Sequence, residues 1–272
     1  MSLSKLSLPS NRTIVMGIIN VTPDSFADGG RFDTAVTSIE RGLEMIAEGV
    51  DIIDVGGEST RPGADRVSPQ EEENRVIPVI QALAATGAIV SIDTKRSMVA
   101  SAAIQAGAKI VNDVSAGLSD SQMLSTVASL GCPYIAMHTR GNSKEMNSLA
   151  TYQDVVAEVI SELSARIADA LAAGITKDNI VLDPGLGFAK EPEHNWALLR
   201  NLDALEALGY PVLVGASRKR FLGTLVGSDN PDDREAATIA LTGLLARGGT
   251  WGVRVHSVKP HRDAIAVAGK FA

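Results

Sequence analysis

Short apolar runs rich in Val and Ile recur along the chain, and most are followed by a longer stretch with helical spacing of its apolar positions. The runs are 14–20 (IVMGIIN), 51–57 (DIIDVGG), 89–93 (IVSID), 109–113 (KIVND), 134–138 (YIAMH), 180–185 (IVLDPG), 211–217 (PVLVGAS) and 253–257 (VRVHS). Their near-continuous apolar character predicts parallel strands covered on both faces. The stretches at 33–48, 69–86, 96–107, 119–130, 153–174, 193–208, 232–248 and 260–270 predict helices. Ser68-Pro69 followed by Gln70, Glu71, Glu72 and Glu73 reads as an N-cap, a proline at the first helical position and an acidic first turn. Gly49, Gly131 and Gly209 stand where helices should end. Eight strands alternating with eight helices predict an α/β fold of the (β/α)8 TIM-barrel type, in preference to a doubly wound sheet. Residues 1–272 read as one domain.

Composition narrows the setting. Apolar residues make up 45% of 272, enough for one large core. Acidic residues outnumber basic ones 32 to 25, which argues against a nucleic-acid partner. The single cysteine, Cys132, excludes a disulfide scaffold and a thiolate zinc site, and fits a reducing compartment. The N-terminal MSLSKLSLPSNR lacks a signal-peptide core, and Gly131 and Pro133 interrupt the longest uncharged stretch. A cytoplasmic protein with no membrane partner is expected.

The strand ends carry the chemistry. In order they present Asn20, Asp54 and Glu58, Asp93, Asn112 and Asp113, His138, Asp183, Ser217 and Lys219, then Arg254 and His256. In a barrel these would converge on one mouth. Asp93, Asn112 and Asp183 offer acceptors for the adjacent N–H donors of a flat amino-pyrimidinone, and Lys219 offers a donor. Arg61, Arg218, Lys219, Arg220, Arg254 and His256 all fall just after strands and predict a locally positive mouth for phosphate or diphosphate. Thr60 and the backbone near Gly56-Gly57 add donors. The long loops 21–32, 57–68 and 139–151 follow strands 1, 2 and 5, on the functional face.

The segments GIINVTPDSFADGG (17–30), DIIDVGGESTRPGA (51–64), SIDT (91–94), IVNDVS (110–115), LDPGLGFAK (182–190), GASRKRFLG (215–223) and RVH (254–256) closely resemble those of the dihydropteroate synthases, in the same order and over nearly the whole chain. The resemblance implies a barrel enzyme of folate synthesis and a sulfonamide target. It would join 6-hydroxymethyl-7,8-dihydropterin diphosphate to 4-aminobenzoate and release pyrophosphate. By the family pattern, Asp93, Asn112, Asp183 and Lys219 would bind the pterin, with Met137 and Ser217 among the substrate contacts. Asn20 would contact Mg2+, and Thr60, Arg61, Arg254 and His256 would hold the diphosphate. Asp93, Lys219, Arg254 and His256 form the catalytic group in this pattern. Loops carrying Asp24, Phe26, Asp28 and Pro62 would close over the second substrate, whose pocket Phe188 and the start of the helix after Lys219 would line. The family also implies a homodimer. The chain departs from many members at Arg220, where a Ser usually helps bind the aminobenzoate carboxylate, and at Ser257, where an Asp is common.

Other readings share parts of this pattern. A corrinoid-dependent methyltransferase would use the same pterin pocket but would not need the SRK and RVH segments. A non-catalytic pterin-binding paralogue would be expected to lose one of them. An imine-forming barrel aldolase needs a desolvated lysine, whereas Lys219 lies beyond strand 7 in a polar segment.

Overall fold

A computed structural model resolves the pattern into eight strands forming one parallel sheet. The described residues are 2–22, 31–59, 67–142 and 144–271. The strands are β1 (Ile14–Asn20), β2 (Ile52–Gly56), β3 (Val90–Asp93), β4 (Ile110–Asp113), β5 (Tyr134–Met137), β6 (Ile180–Asp183), β7 (Leu213–Val214) and β8 (Gly252–Val255). Their order is β6-β5-β4-β3-β2-β1-β8-β7. A parallel bridge between Leu182 and Val212 joins the two ends, supported by the Leu182 N–H donating to the Pro211 carbonyl at 2.9 Å. The sheet therefore closes into the expected barrel.

The ten α-helices of the described residues are α1 (Arg31–Ala47), α2 (Pro69–Ala85), α3 (Ser97–Gln105), α4 (Met123–Leu130), α5 (Val155–Ala172), α6 (Pro192–Arg200), α7 (Leu202–Glu206), α8 (Arg220–Val226), α9 (Glu235–Arg247) and α10 (Lys259–Ala268). The α2 start is as read: Ser68 Oγ accepts from the Glu71 N–H at 3.1 Å, with Pro69 next. Gly49, Gly131 and Gly209 adopt positive φ at helix ends.

Four expectations need correction. The helix expected at 193–208 is two, because at Asn201 the backbone leaves helical geometry while its side chain donates to the Ala197 carbonyl at 2.8 Å. The helix expected from 119 begins at Met123, because Asp120 instead accepts from the Ser97 N–H at 2.7 Å and caps α3. The helix expected from 232 begins at Glu235, after a 3-10 turn over Asp232–Arg234. The short α8 is absent from the helices read by periodicity; seven residues with Gly223 inside give little periodic signal.

Period-two alternation divides the strands between two cores. Outward residues such as Val15, Ile53, Val90, Val111, Tyr134 and Leu182 pack against the helices. Inward residues Ile14, Met16, Ile52, Ile110, Ile135, Val181 and Leu213 fill the barrel and join Leu6. Leu3, Leu8, Ile89 and Trp251 pack against this inner cluster at the N-terminal ends of the strands, where the Leu3 N–H donates to Asn179 Oδ1 at 2.9 Å. The floor is apolar, and the inward polar residues lie towards the C-terminal ends. Among the described residues no helix is long and apolar enough to cross a membrane.

Candidate active site

Asp54 anchors the polar layer above the apolar floor. It is fully buried, and its Oδ2 accepts from Asn112 Nδ2 at 2.9 Å and from Arg254 Nε at 2.7 Å. Arg254 Nη2 reaches on to Asp93 Oδ2 at 2.7 Å. One guanidinium thus ties β8 to β2 and β3, and one carboxylate ties β2 to β4. The bond to Asp54 also fixes the Asn112 amide, with its nitrogen committed and its oxygen left as an acceptor. Burial pushes the Asp93 carboxyl up to about 7, Arg254 pulling it down and Asp54 adding to the rise. Burial lowers the Arg254 pKa, but Asp54 and Asp93 more than offset this and keep it charged.

Asp183, at the end of β6, accepts from the Gly185 N–H at 2.7 Å. Its pKa is raised by burial, with Lys219 opposing. Gly215 lies beside both groups: a Cβ there would make ordinary contacts, 3.6 Å from Asp183 Oδ2 and 3.9 Å from Lys219 Nζ. Lys219 donates to the Leu186 carbonyl and sits 4.8 Å from the centre of the Phe188 ring. Burial lowers its pKa to about 8, with Asp183 opposing. The expectation of a polar, solvated setting for Lys219 holds only in part: the residue is half-buried, and after the early end of β7 its amine is turned into the barrel mouth. The argument against an imine-forming lysine on grounds of solvation is weakened to the same extent.

Ser217 Oγ lies 2.9 Å from His256 Nδ1 and accepts from the His256 N–H at 3.2 Å, which joins the SRK and RVH segments. Met137 is buried and is the register partner of Asp183. Asn20, half-buried, ends β1 as the register partner of Gly56, which in turn pairs with Asp93. Arg220 is exposed at the first turn of α8. Beside Phe188 lies a cavity of about 300 Å3, also lined by Lys95, Ser115, Ser119 and Thr139.

Not every polar strand end faces this mouth. Inward residues alternate, so Asp113 and His138 point outward, each one position out of phase with Asn112 and Met137. Asp113 accepts from Ser115, Gly117 and Tyr134 instead. His138 Nε2 lies 3.0 Å from Glu162 of α5. Arg218, expected in the basic group, turns away at φ 57 and pairs with Glu235 and Asp232 at 2.8 and 2.7 Å. Ser257 donates to Glu235, so its partner lies on α9. Thr60, Arg61, Pro62, Phe26, Asp24 and Asp28 lie outside the described residues. The residue that sequence reasoning passed over is Asp54, named as a strand end but given no part in the site. Its signal was a carboxylate inside the apolar run IIDVG.

A model of the family described as pterin binding enzyme matches residues 16–256. The dihydropteroate synthase of Mycobacterium leprae is 52% identical over 263 residues, covering 94% of this chain and 93% of its own. A Xanthomonas albilineans dihydropteroate synthase structure with 4-aminobenzoic acid superposes with a TM-score of 0.90 at 45% identity, over 96% of this chain and 93% of that one. Another structure of that species' enzyme, in complex with 7,8-dihydropteroate, gives 0.89 at 41% identity, over 98% and 97%. Identity at this level, sustained along both chains, places the protein in the pterin binding enzyme family, among the dihydropteroate synthases.

Proposed function

We infer that this chain condenses 6-hydroxymethyl-7,8-dihydropterin diphosphate with 4-aminobenzoate to give 7,8-dihydropteroate and pyrophosphate. The observation that carries this reading is a buried polar layer, Asn112–Asp54–Arg254–Asp93, sharing one barrel mouth with the Asp183–Lys219 pair. An amino-pyrimidinone edge presents adjacent N–H donors. Asp93, Asp183 and the Asn112 oxygen accept from them, and Lys219 donates to a ring carbonyl or nitrogen. Met137 packs beside the ring.

The reaction breaks the pterin CH2–O bond, and its electron pair leaves with pyrophosphate. The electron-rich ring stabilises a cationic methylene. The neutral aniline nitrogen then forms the C–N bond and releases its proton, so no nucleophile–base pair is required. Arg254, and His256 held by Ser217, balance charge gathering on the leaving group. Phe188 and the start of α8, with Arg220, border the aryl amine. Thr60, Arg61, Pro62 and Phe26 keep the parts given by the family pattern, holding the diphosphate and closing over the second substrate to exclude water.

Among the described residues no group of three His, Cys, Asp or Glu side chains is placed to hold a metal ion. Asn20 offers one neutral oxygen. Mg2+ is usually held by one or two carboxylates plus substrate phosphates and water, so with Asn20 alone the diphosphate and water would have to supply most of its ligands. Bound there, it would neutralise leaving-group charge. We further assign the protein to the cytoplasm, where the buried Cys132 thiol, pushed up to about 11 by burial, stays reduced and inert. The homodimer implied by the family pattern would find apolar surface in the exposed Leu225, Leu244 and Val267 of α8, α9 and α10; sedimentation tests it.

The deciding experiment is pyrophosphate release by purified protein with dihydropterin diphosphate and Mg2+, with and without 4-aminobenzoate. Release that depends on aminobenzoate and yields dihydropteroate is expected. Pterin binding without product would leave an inactive paralogue or a methyltransferase.

A further inference from the structure

Lys190 is 9% exposed, and the chemistry above does not use it. Its Nζ lies 2.8 Å from His138 Nδ1 and donates to the Phe188 carbonyl at 3.0 Å. Among the described residues it forms no ion pair. Glu162 accepts from His138 Nε2, which leaves Nδ1 as the acceptor facing Lys190. Burial, reinforced by the charge on Lys219, pulls the Lys190 pKa well below its ordinary value. An amine with two acceptors suits such a place better than an ammonium with three donors.

What Lys190 holds is a bent segment. Gly185, Gly187 and Ala189 have φ values of 65, 76 and 48, in the left-handed region that side chains disfavour. A Cβ at Gly185 would lie 1.9 Å from the His138 carbonyl oxygen, so only glycine passes there. Side chains from several elements keep the bend. Tyr152 Oη donates to the Ala189 carbonyl at 2.9 Å, and Asn195 Oδ1 accepts from the Gly187 N–H at 2.7 Å. Lys219 takes the Leu186 carbonyl from the pocket side, and Lys190 takes that of Phe188 from the side of β5. The two lysines thus grip alternate carbonyls of one turn, and Lys219 also lies 4.8 Å from the centre of the Phe188 ring.

We propose that Lys190 is a positioning residue for the aryl-amine half of the reaction, holding the Phe188 backbone, and through it the Phe188 ring, at the pocket wall, with His138 fixed by Glu162 as its second anchor. This rests on the reading of Phe188 as a wall of the aminobenzoate pocket. Lys190→Met keeps the four-atom apolar stem of the side chain and removes both hydrogen bonds, leaving the bend free to relax.

The test compares unmodified protein, Lys190→Met, Phe188→Ala and the double variant in steady state, with pterin affinity measured separately by calorimetry. Lys190→Met should raise the KM for 4-aminobenzoate about tenfold while the pterin Kd stays within about twofold, and it should add little on top of Phe188→Ala. An unchanged KM with a reduced active fraction would make Lys190 a stability residue only. Equal weakening of both ligands would place its action at Asp183 instead of Phe188. Should Lys190→Met fail to fold, His138→Gln removes the second anchor and is expected to show the same split. Absence of aminobenzoate-dependent turnover in the unmodified protein would remove the synthase reading itself, an outcome distinct from normal turnover with an insensitive variant.

Discussion

Asp93 feels opposing demands. Burial favours its neutral form, with a pKa of about 7, while a ligand N–H needs the ionised carboxylate. Affinity for the dihydropterin should therefore climb as pH rises from about 6 to about 8 and level off above. Calorimetric titrations across that range check this, and a flat profile would remove Asp93 from the ring contacts. Stability runs the other way. A carboxyl whose folded pKa is raised contributes stability that is complete below its unfolded value of 3.8 and is lost as pH rises through about 7. Asp93→Asn should accordingly raise Tm at pH 8 while weakening pterin. Asp183→Ala has no such compensation: on the proposed reading it takes an acceptor from the ring, and it leaves the Lys219 amine facing the pocket without its carboxylate. Pterin affinity should fall about 100-fold or more, read by the same titration.

At the scale of elements, Glu235 binds two segments of the site together from behind. In the first turn of α9 it accepts from Arg218 Nε at 2.8 Å, from His261 Nε2 at 3.3 Å and from Ser257 Oγ. These bonds outweigh burial and hold its carboxyl down at about 2. Its stabilising contribution is present above the unfolded value of 4.5 and lost as pH falls towards 2. Glu235→Gln should lower Tm at pH 7 and flatten the acid side of the stability curve, which thermal melts across pH 2 to 7 would follow; an unchanged acid limb would show that Glu235 does not hold the segments together. None of this was legible in the sequence. Strands and their polar ends were, because eight near-continuous apolar runs allow few other architectures. Which polar end faces inward was harder, since a one-residue shift of phase separates Asn112 from Asp113 and Met137 from His138. Arg218 was misplaced for another reason: a left-handed φ at a non-glycine residue has no local signal, and the partners that hold it there, Asp232 and Glu235, lie well beyond it in the chain.

For the whole molecule, the inner core and the site divide the barrel along its axis. Leu6 closes the floor with Ile14, Ile110 and Leu213, and the site residues stand at the other end of the same strands. Leu6→Ala should destabilise the protein by about 3 kcal/mol in urea unfolding and leave pterin affinity unchanged; a matching loss of affinity would mean that floor and site are one unit. The sealed floor has a kinetic meaning as well. A barrel shut at its base has a single doorway, so traffic through it is a stack, last in and first out. A pterin held at the Asp93–Asp183 layer, as proposed, would have to arrive before an aryl amine bound above it and could not be exchanged from below. The joined product must back out through the opening by which its halves came in.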